Sequence, residues 1–236
     1  MFTTPKIKIC GITNLKDIEL VSSSGADYAG ILLNVAASSR SVDGEKAESL
    51  CRKARIPIVV LLWQPTFKEI EIAYNRLKPY AFQLLSQEEP ELVTEIKSKI
   101  PDVMVWKSIH LPSSEQGISQ GIDINIGDMR TRIEAYIDSG VDVILIDTVY
   151  RSNNGIQHGG TGKISNWNTV VELFKNLDVP LFLAGGITPS NVKDAINQVN
   201  PYGIDVASGV EKEKGIKDPV KVRELIKIVR RIEEHG

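Results

Sequence analysis

Short apolar, β-branched runs recur along the chain at residues 6–10, 28–33, 56–63, 81–85, 103–109, 141–147, 180–184 and 203–207. Most are continuous rather than alternating, the pattern of parallel strands covered on both faces. Polar turns follow them, and then helix-length amphipathic stretches, for example 14–24, 66–77, 90–99, 128–139, 189–199 and 219–232. The last carries Val222, Leu225, Ile226 and Val229 at the spacing of one core-facing stripe. Thr188-Pro189 and Asp218-Pro219 each put a capping side chain before a proline at the expected first helical position. Eight β-α units in 236 residues predict an α/β fold, a single (β/α)8 TIM-barrel domain over residues 1–236. A doubly wound open sheet is the alternative, but no Gly-x-Gly-x-x-Gly follows the first strand. The stretch 110–127, rich in Ser, Gly and Gln, reads as a functional βα loop or a small insertion.

Composition adds exclusions. Lys and Arg number 28 against 30 Asp and Glu, a net charge of −2, which argues against nucleic acid as a partner. No apolar run reaches the roughly 18–20 residues of a bilayer span, and the first residues lack a signal-peptide pattern, so no membrane partner is expected. Two cysteines, Cys10 and Cys51, cannot build a disulfide framework and have no zinc spacing. A cytoplasmic chain with reduced thiols is the expectation. No His/Cys/carboxylate group has metal-ligand spacing, and no Ser–His–Asp arrangement is present.

A barrel carries its site at the C-terminal ends of its strands. Cys10 closes the first strand. It is either a small core hydrophobe or a thiolate acting as base or nucleophile, with Gly11 letting the backbone approach a ligand. Cys51 sits mid-helix on an apolar face and reads as packing. Asp147 ends the sixth strand, as an acid–base group raised by burial or as a cap or ion-pair partner. Asp142 opens that strand on the stability face, and Asp205 lies inside the eighth, where an inward carboxylate needs a partner. Glycine-containing turns at 159–163, 184–188 and 207–211 look like phosphate cradles. The latter two follow strands seven and eight, where barrels often bind phosphate. Gly160, Gly162, Gly185, Gly186, Ser208 and Gly209 are therefore candidate substrate contacts. Residues 150–162, which include His158, are expected to form a mobile lid. Arg40 is either a solvated loop cation or a fork for a carboxylate.

These blocks share a pattern. Lys8-Ile9-Cys10-Gly11-Ile12-Thr13 resembles the opening signature of the phosphoribosylanthranilate isomerase family, (β/α)8 enzymes of tryptophan biosynthesis. The resemblance continues through Ile146-Asp147, Gly159-Gly160-Thr161-Gly162-Lys163 with Trp167 after it, and Leu183-Ala184-Gly185-Gly186-Ile187. Asn191-Val192 and Gly203-Ile204-Asp205-Val206-Ala207-Ser208-Gly209-Val210-Glu211, followed by Lys217-Asp218, complete it in the family's order. It implies an Amadori rearrangement of N-(5-phosphoribosyl)anthranilate without a cofactor. In that reading Cys10 is the general base, Asp147 the general acid, and Arg40 meets the anthranilate carboxylate. The small-molecule partner is a phosphosugar, and the chain is a monomer or homodimer. Two departures stand out. The family's Phe-rich run and Ser-Pro-Arg is replaced by residues 30–40 with Ser38-Ser39-Arg40, and Gln83-Leu84-Leu85-Ser86 stands where Gln-Leu-His-Gly is expected. They motivate two alternatives: a paralogous aldose–ketose isomerase on another phosphosugar, and a non-catalytic phosphometabolite-binding barrel.

Overall fold

A computed structural model describes residues 4–112, 125–152, 155–158 and 166–232 of the protein. Eight strands form a ring: β1 (Lys6–Ile9), β2 (Tyr28–Leu33), β4 (Ile58–Leu62), β5 (Ala81–Leu84), β6 (Met104–Pro112), β7 (Val143–Ser152), β9 (Leu181–Leu183) and β10 (Gly203–Val206). All ring pairings are parallel, and the ring closes where Lys8 and Ile9 of β1 register with Tyr28 and Ala29 of β2. β3 (Ser41–Val42) adds to the side of β2, and β8 (Gly155–His158) folds back antiparallel onto β7. A small hairpin of β11 (Glu211–Glu213) and β12 (Ile216–Lys217) follows β10. Outside the ring lie α1 (Leu15–Ser24), α2 (Gly44–Lys53), α3 (Phe67–Leu77), α4 (Pro90–Lys99), α5 (Ile126–Asp138), α6 (Trp167–Phe174), α7 (Val192–Val199) and α8 (Pro219–Arg231). This is the barrel that the eightfold repeat predicts.

The continuous apolar strands are explained by two separate cores. Ile7, Ile9, Ala29, Ile31, Val60 and Leu62 face outward and pack beneath the helices. Their neighbours Leu32, Val59, Leu61, Leu145 and Phe182 face inward and fill the barrel. The lower interior is plugged by aromatic rings, with Trp106 and Phe182 centroids 4.6 Å apart and Tyr28 edge-on to Trp106 at 5.2 Å.

Helix starts follow capping chemistry. Asn14, Asp43 and Asn125 each accept a backbone N–H three residues on, Thr66 and Glu69 form a reciprocal box, and Asp218 accepts from Val220 and Lys221 as expected. Thr188-Pro189 is different. The helix begins at Val192, and Thr188 to Asn191 form a turn in which Asn191 Oδ1 accepts from Thr188 N at 2.8 Å. Asn191 Nδ2 then donates to Gly186 O at 2.9 Å, so the proline shapes the turn beside the glycine pair instead of opening the helix. Asp142 is on the stability face, 3.0 Å from Lys97 Nζ. Strands β6 and β7 both run past their expected ends, and residues 155–158, expected within a lid, pair with β7 as a hairpin. Residues 113–124, most of the long loop, lie outside the described residues, as do 159–165 with Gly160 and Gly162.

One ion pair beneath the helices ties the turn after β5 to β6. Lys107, 1% exposed, faces outward from β6 and sits 3.1 Å from Glu88 Oε2. It also donates to the carbonyls of Leu84, Ser86 and Ser108, while Glu88 accepts from Gln64 N and Ser86 N. Removing one partner leaves a buried charge uncompensated, at a cost of about 3–5 kcal/mol. Lys107→Met is therefore expected to lower the thermal midpoint sharply, and adding Glu88→Leu to recover much of the loss. Calorimetric unfolding of the two variants checks this; equal midpoints for parent and single variant refute it.

Candidate active site

The C-terminal ends of the ring strands enclose a cavity of about 330 Å³, the scale of a small-molecule site. Its walls differ in kind. Leu32, Val35, Leu61, Trp63 and Leu85, from the ends of β2, β4 and β5, give an apolar side with one indole. Across from them Gly185, Gly186, Ser208 and Gly209 line it from the turns after β9 and β10. Cys10, Arg40, Asp147 and Asp205 reach it from between.

Cys10 directly follows β1, points inward and is 6% exposed. Its room comes from the neighbouring strand, because a Cβ at Gly30 would stand 2.8 Å from the Cys10 sulfur. Burial pushes the thiol upward, and the nearby Lys8 ammonium pulls against it. Asp147 ends the part of β7 that borders the cavity, and its Oδ1 accepts from Thr148 N at 2.7 Å. Desolvation, reinforced by the Asp205 charge, raises its carboxyl to about 7. A thiol and an elevated carboxyl thus face one enclosed space, a pairing able to move two protons on one bound molecule.

Asp205 has the partner that its inward position demanded: Lys8 Nζ lies 3.0 Å from Oδ1, with Lys8 fully buried. Sequence reasoning passed over Lys8, although a lysine inside a strand of Ile and Cys, two residues before Cys10, signals an inward charge. Gln83, also inward, donates to Ser108 Oγ at 2.9 Å. His110 was expected at the start of a loop. It instead belongs to β6, lines the cavity and donates from Nε2 to Leu85 O at 2.7 Å. An imidazole therefore stands beside the position where the resemblance expects one and finds Leu85.

Arg40 is not a solvated cation. Its side chain is 11% exposed, and Nε and Nη2 meet Glu211 Oε1 and Oε2 at 2.8 and 2.7 Å. Glu211 also takes Lys217 Nζ at 2.9 Å, so one carboxylate holds two cations. Gly11, at φ 76°, makes the approach possible: a Cβ there would lie 2.6 Å from Arg40 Cδ. The close neighbour of Gly11 is thus the Arg40 stem, where a ligand was expected. The two glycine turns likewise touch each other, since a Cβ on Gly209 would fall 1.8 Å from Ile187 O. Gly185 and Gly186 both have positive φ, at 84° and 66°, a run that glycine takes at no steric cost. No described helix is long and apolar enough to cross a membrane, and no described group of three or more His, Cys, Asp or Glu is placed to hold a metal.

Comparison with known proteins agrees with this geometry. Residues 7–228 match the family model for N-(5'phosphoribosyl)anthranilate (PRA) isomerase. The N-(5'-phosphoribosyl)anthranilate isomerase of Methanocella arvoryzae is 35% identical over 228 residues, 95% of this chain and 98% of that protein. A crystal structure of monomers of the dimeric Thermotoga maritima isomerase superposes with a TM-score of 0.76 at 28% identity, covering 96% of this chain and 98% of that one. Another isomerase of this kind, solved with reduced 1-(o-carboxyphenylamino)-1-deoxyribulose 5-phosphate, gives 0.72 at 26% identity and covers 96% and 98% of the two chains. The barrel, the cavity at the C-terminal ends of its strands and a match running from the first strand into the last helix place this chain in the phosphoribosylanthranilate isomerase family.

Proposed function

We propose that the chain, acting as one barrel domain, converts N-(5-phosphoribosyl)anthranilate to 1-(2-carboxyphenylamino)-1-deoxyribulose 5-phosphate. Cys10 is the general base in this reading and Asp147 the general acid. The observation that carries it is the position of the thiol and the raised carboxyl between an apolar wall and two glycine turns on one cavity. That layout suits a molecule with an aryl group at one end and a phosphate at the other.

Asp147 gives its proton to the ribose ring oxygen as the C1–O bond breaks, and the amine lone pair forms C1=N. The Cys10 thiolate then takes the C2 proton. The C–H electron pair becomes C1=C2, and the C=N pair returns to nitrogen. The enolamine tautomerises to the 2-ketone, its hydroxyl proton lost and one gained at C1. Turnover leaves a thiol and a carboxylate, so a proton must pass from the Cys10 side back to Asp147. The imine is the electron sink, and the chemistry calls for no cofactor.

Backbone N–H groups of Gly186, Ser208 and Gly209 are the proposed phosphate donors, joined by Gly185; Gly160 and Gly162 enter this set from sequence alone. Asp205, paired to Lys8 through Oδ1, borders the ribose. Glu211 occupies Nε and one edge of Arg40, which leaves the end-on Nη1/Nη2 edge for the anthranilate carboxylate. The reduced Cys10 and Cys51 suit a cytoplasmic enzyme, and the dimeric relative supports a homodimer as well as a monomer. Rescue of a tryptophan auxotroph lacking this isomerase tests the whole reading; failure by well-expressed, folded protein overturns it. In that event, turnover of another phosphorylated aminosugar or aldose would favour the paralogous isomerase that the rebuilt wall at Leu85 suggests.

Cys10→Ala and Asp147→Asn are each expected to lower kcat by roughly 10²–10⁴-fold with little change in KM. Steady-state kinetics check this, and near-normal turnover makes the residue structural. The required state has one proton shared by the two groups, on Asp147 and off Cys10. Below about 7 both sites hold protons, so kcat/KM should fall as pH drops through that value. A profile flat through this region, or one unchanged in Asp147→Asn, contradicts the assignment. Arg40→Lys keeps a charge but not the fork. It should raise KM roughly 10–150-fold, from about 1.5–3 kcal/mol of lost contact, while an analogue without the carboxylate is little affected. Equal effects on both compounds would remove Arg40 from the binding site.

A further inference from the structure

A buried ion pair stands at the floor of the cavity, with Lys8 fully buried and Asp205 lining the space above. Lys8 and Asp205 register as neighbours on β1 and β10, both facing inward, with Nζ and Oδ1 3.0 Å apart. The rearrangement itself uses neither charge, and a buried pair is weak evidence for stability. Its orientation is informative. Cys10 is the next inward residue above Lys8 on β1. Around the ring from β1 come β10 with Asp205, β9 with the small Ala184, and β7 with Asp147. The ammonium end therefore stands under the thiol, while the carboxylate end is displaced toward the strand that bears Asp147.

We propose that the Lys8–Asp205 pair is a positioning element that shifts the proton balance from Cys10 toward Asp147, its ammonium steadying the Cys10 thiolate and its carboxylate opposing ionisation of Asp147. The inference rests on the acid–base reading of Cys10 and Asp147. The need is specific. Each turnover ends with the thiol protonated and the carboxyl bare, and the singly protonated pair has two tautomers of which one is active. A fixed dipole in a water-poor interior favours that tautomer at no cost of reorganisation in each cycle.

Other charges around the two groups leave this sense unchanged. Cys10 is faced by Lys8, Asp205, Lys217 from β12 and Arg40; among the charges Lys8 acts most strongly on it. Asp147 is faced by Asp205, Lys8 and Arg40, with Thr148 N on its oxygen and His110 beside it in register on β6. Asp205 is the strongest charge acting there, and it opposes ionisation. Arg40 and Lys217 share the single charge of Glu211 and keep a net positive charge. It acts on Cys10 in the same sense as Lys8 and on Asp147 against Asp205, but at each site more weakly than the nearer member of the Lys8–Asp205 pair.

The test measures protonation apart from turnover. In a Cys51→Ser background, the iodoacetamide alkylation rate of Cys10 follows its thiolate fraction, and carbon NMR of Asp147, identified by its loss in Asp147→Asn, follows the carboxyl. Lys8→Met/Asp205→Leu removes both charges while keeping the site filled. It should slow Cys10 alkylation about tenfold or more near neutral pH, the equivalent of roughly one pKa unit, and let Asp147 ionise at lower pH. Lys8→Met alone, which leaves Asp205 unpaired, should slow alkylation at least as much. Circular dichroism establishes that the variants are folded; should the single variant not fold, the double variant carries the test. Folded double variant with alkylation unchanged or faster overturns the proposal. Both curves moving as expected in a protein that does not turn over phosphoribosylanthranilate would uphold the electrostatic assignment and reject the substrate. Normal turnover with unmoved curves would do the reverse.

Discussion

Ring closure is the constraint on which the rest depends. Once β1 pairs with β2, every residue of the ring strands faces either the helices or a narrow interior, where a polar group must be hydrogen-bonded and an ionisable one paired or neutral. Lys8 meets this demand with Asp205, and Gln83 meets part of it with Ser108. Cys10 and Asp147 sit one layer higher, at the rim of the same dry space, and both are pushed toward their neutral forms. The exclusion of water that holds the barrel together is also what makes a carboxyl near neutrality available as an acid. The aromatic plug of Tyr28, Trp106 and Phe182 closes the opposite end.

A second network links three peripheral segments that the barrel alone would leave independent. Arg40 belongs to the turn after β2, Glu211 to the strand after the β10 turn, and Lys217 to its hairpin partner; Asp17 on α1 also accepts from Lys217 N at 2.9 Å. Two glycines make these approaches possible, Gly11 under the Arg40 stem and Gly209 against the Ile187 carbonyl. A larger residue at either would push the rim apart. Arg40 is thereby pre-oriented with its remaining donor edge free of Glu211, a lower entropic cost than an unrestrained side chain would incur.

The two departures from the family's pattern fall where the cavity is apolar. Leu85 removes a polar group from the β5 end, while His110 brings an imidazole to the adjacent β6 end and bonds the Leu85 carbonyl. The glycine turns and the Cys10–Asp147 pair stand on the other strands. Change on one side of the ring and retention on the other is possible because each strand end contributes its own loop to a shared cavity.

Periodicity by itself determined the eight β-α units, since two-sided burial writes continuous apolar runs and helices write stripes. Strand-end position singled out Cys10 and Asp147, and the turns at Gly185-Gly186 and Ser208-Gly209 were legible because positive φ at the first and a close backbone approach at the second favour glycine. The sequence could not say which partner a charge would find. Arg40 and Glu211 are 171 residues apart, and Lys8 and Asp205 are separated by 197; only ring closure brings the first strand beside the last. The same is true of Thr188-Pro189, whose local chemistry promises a helix start but whose turn is claimed by the Asn191 bonds to Thr188 and Gly186. Local chemistry set the elements and the reactive residue types. Long-range packing, which desolvates some groups and pairs others, decided what those residues are able to do.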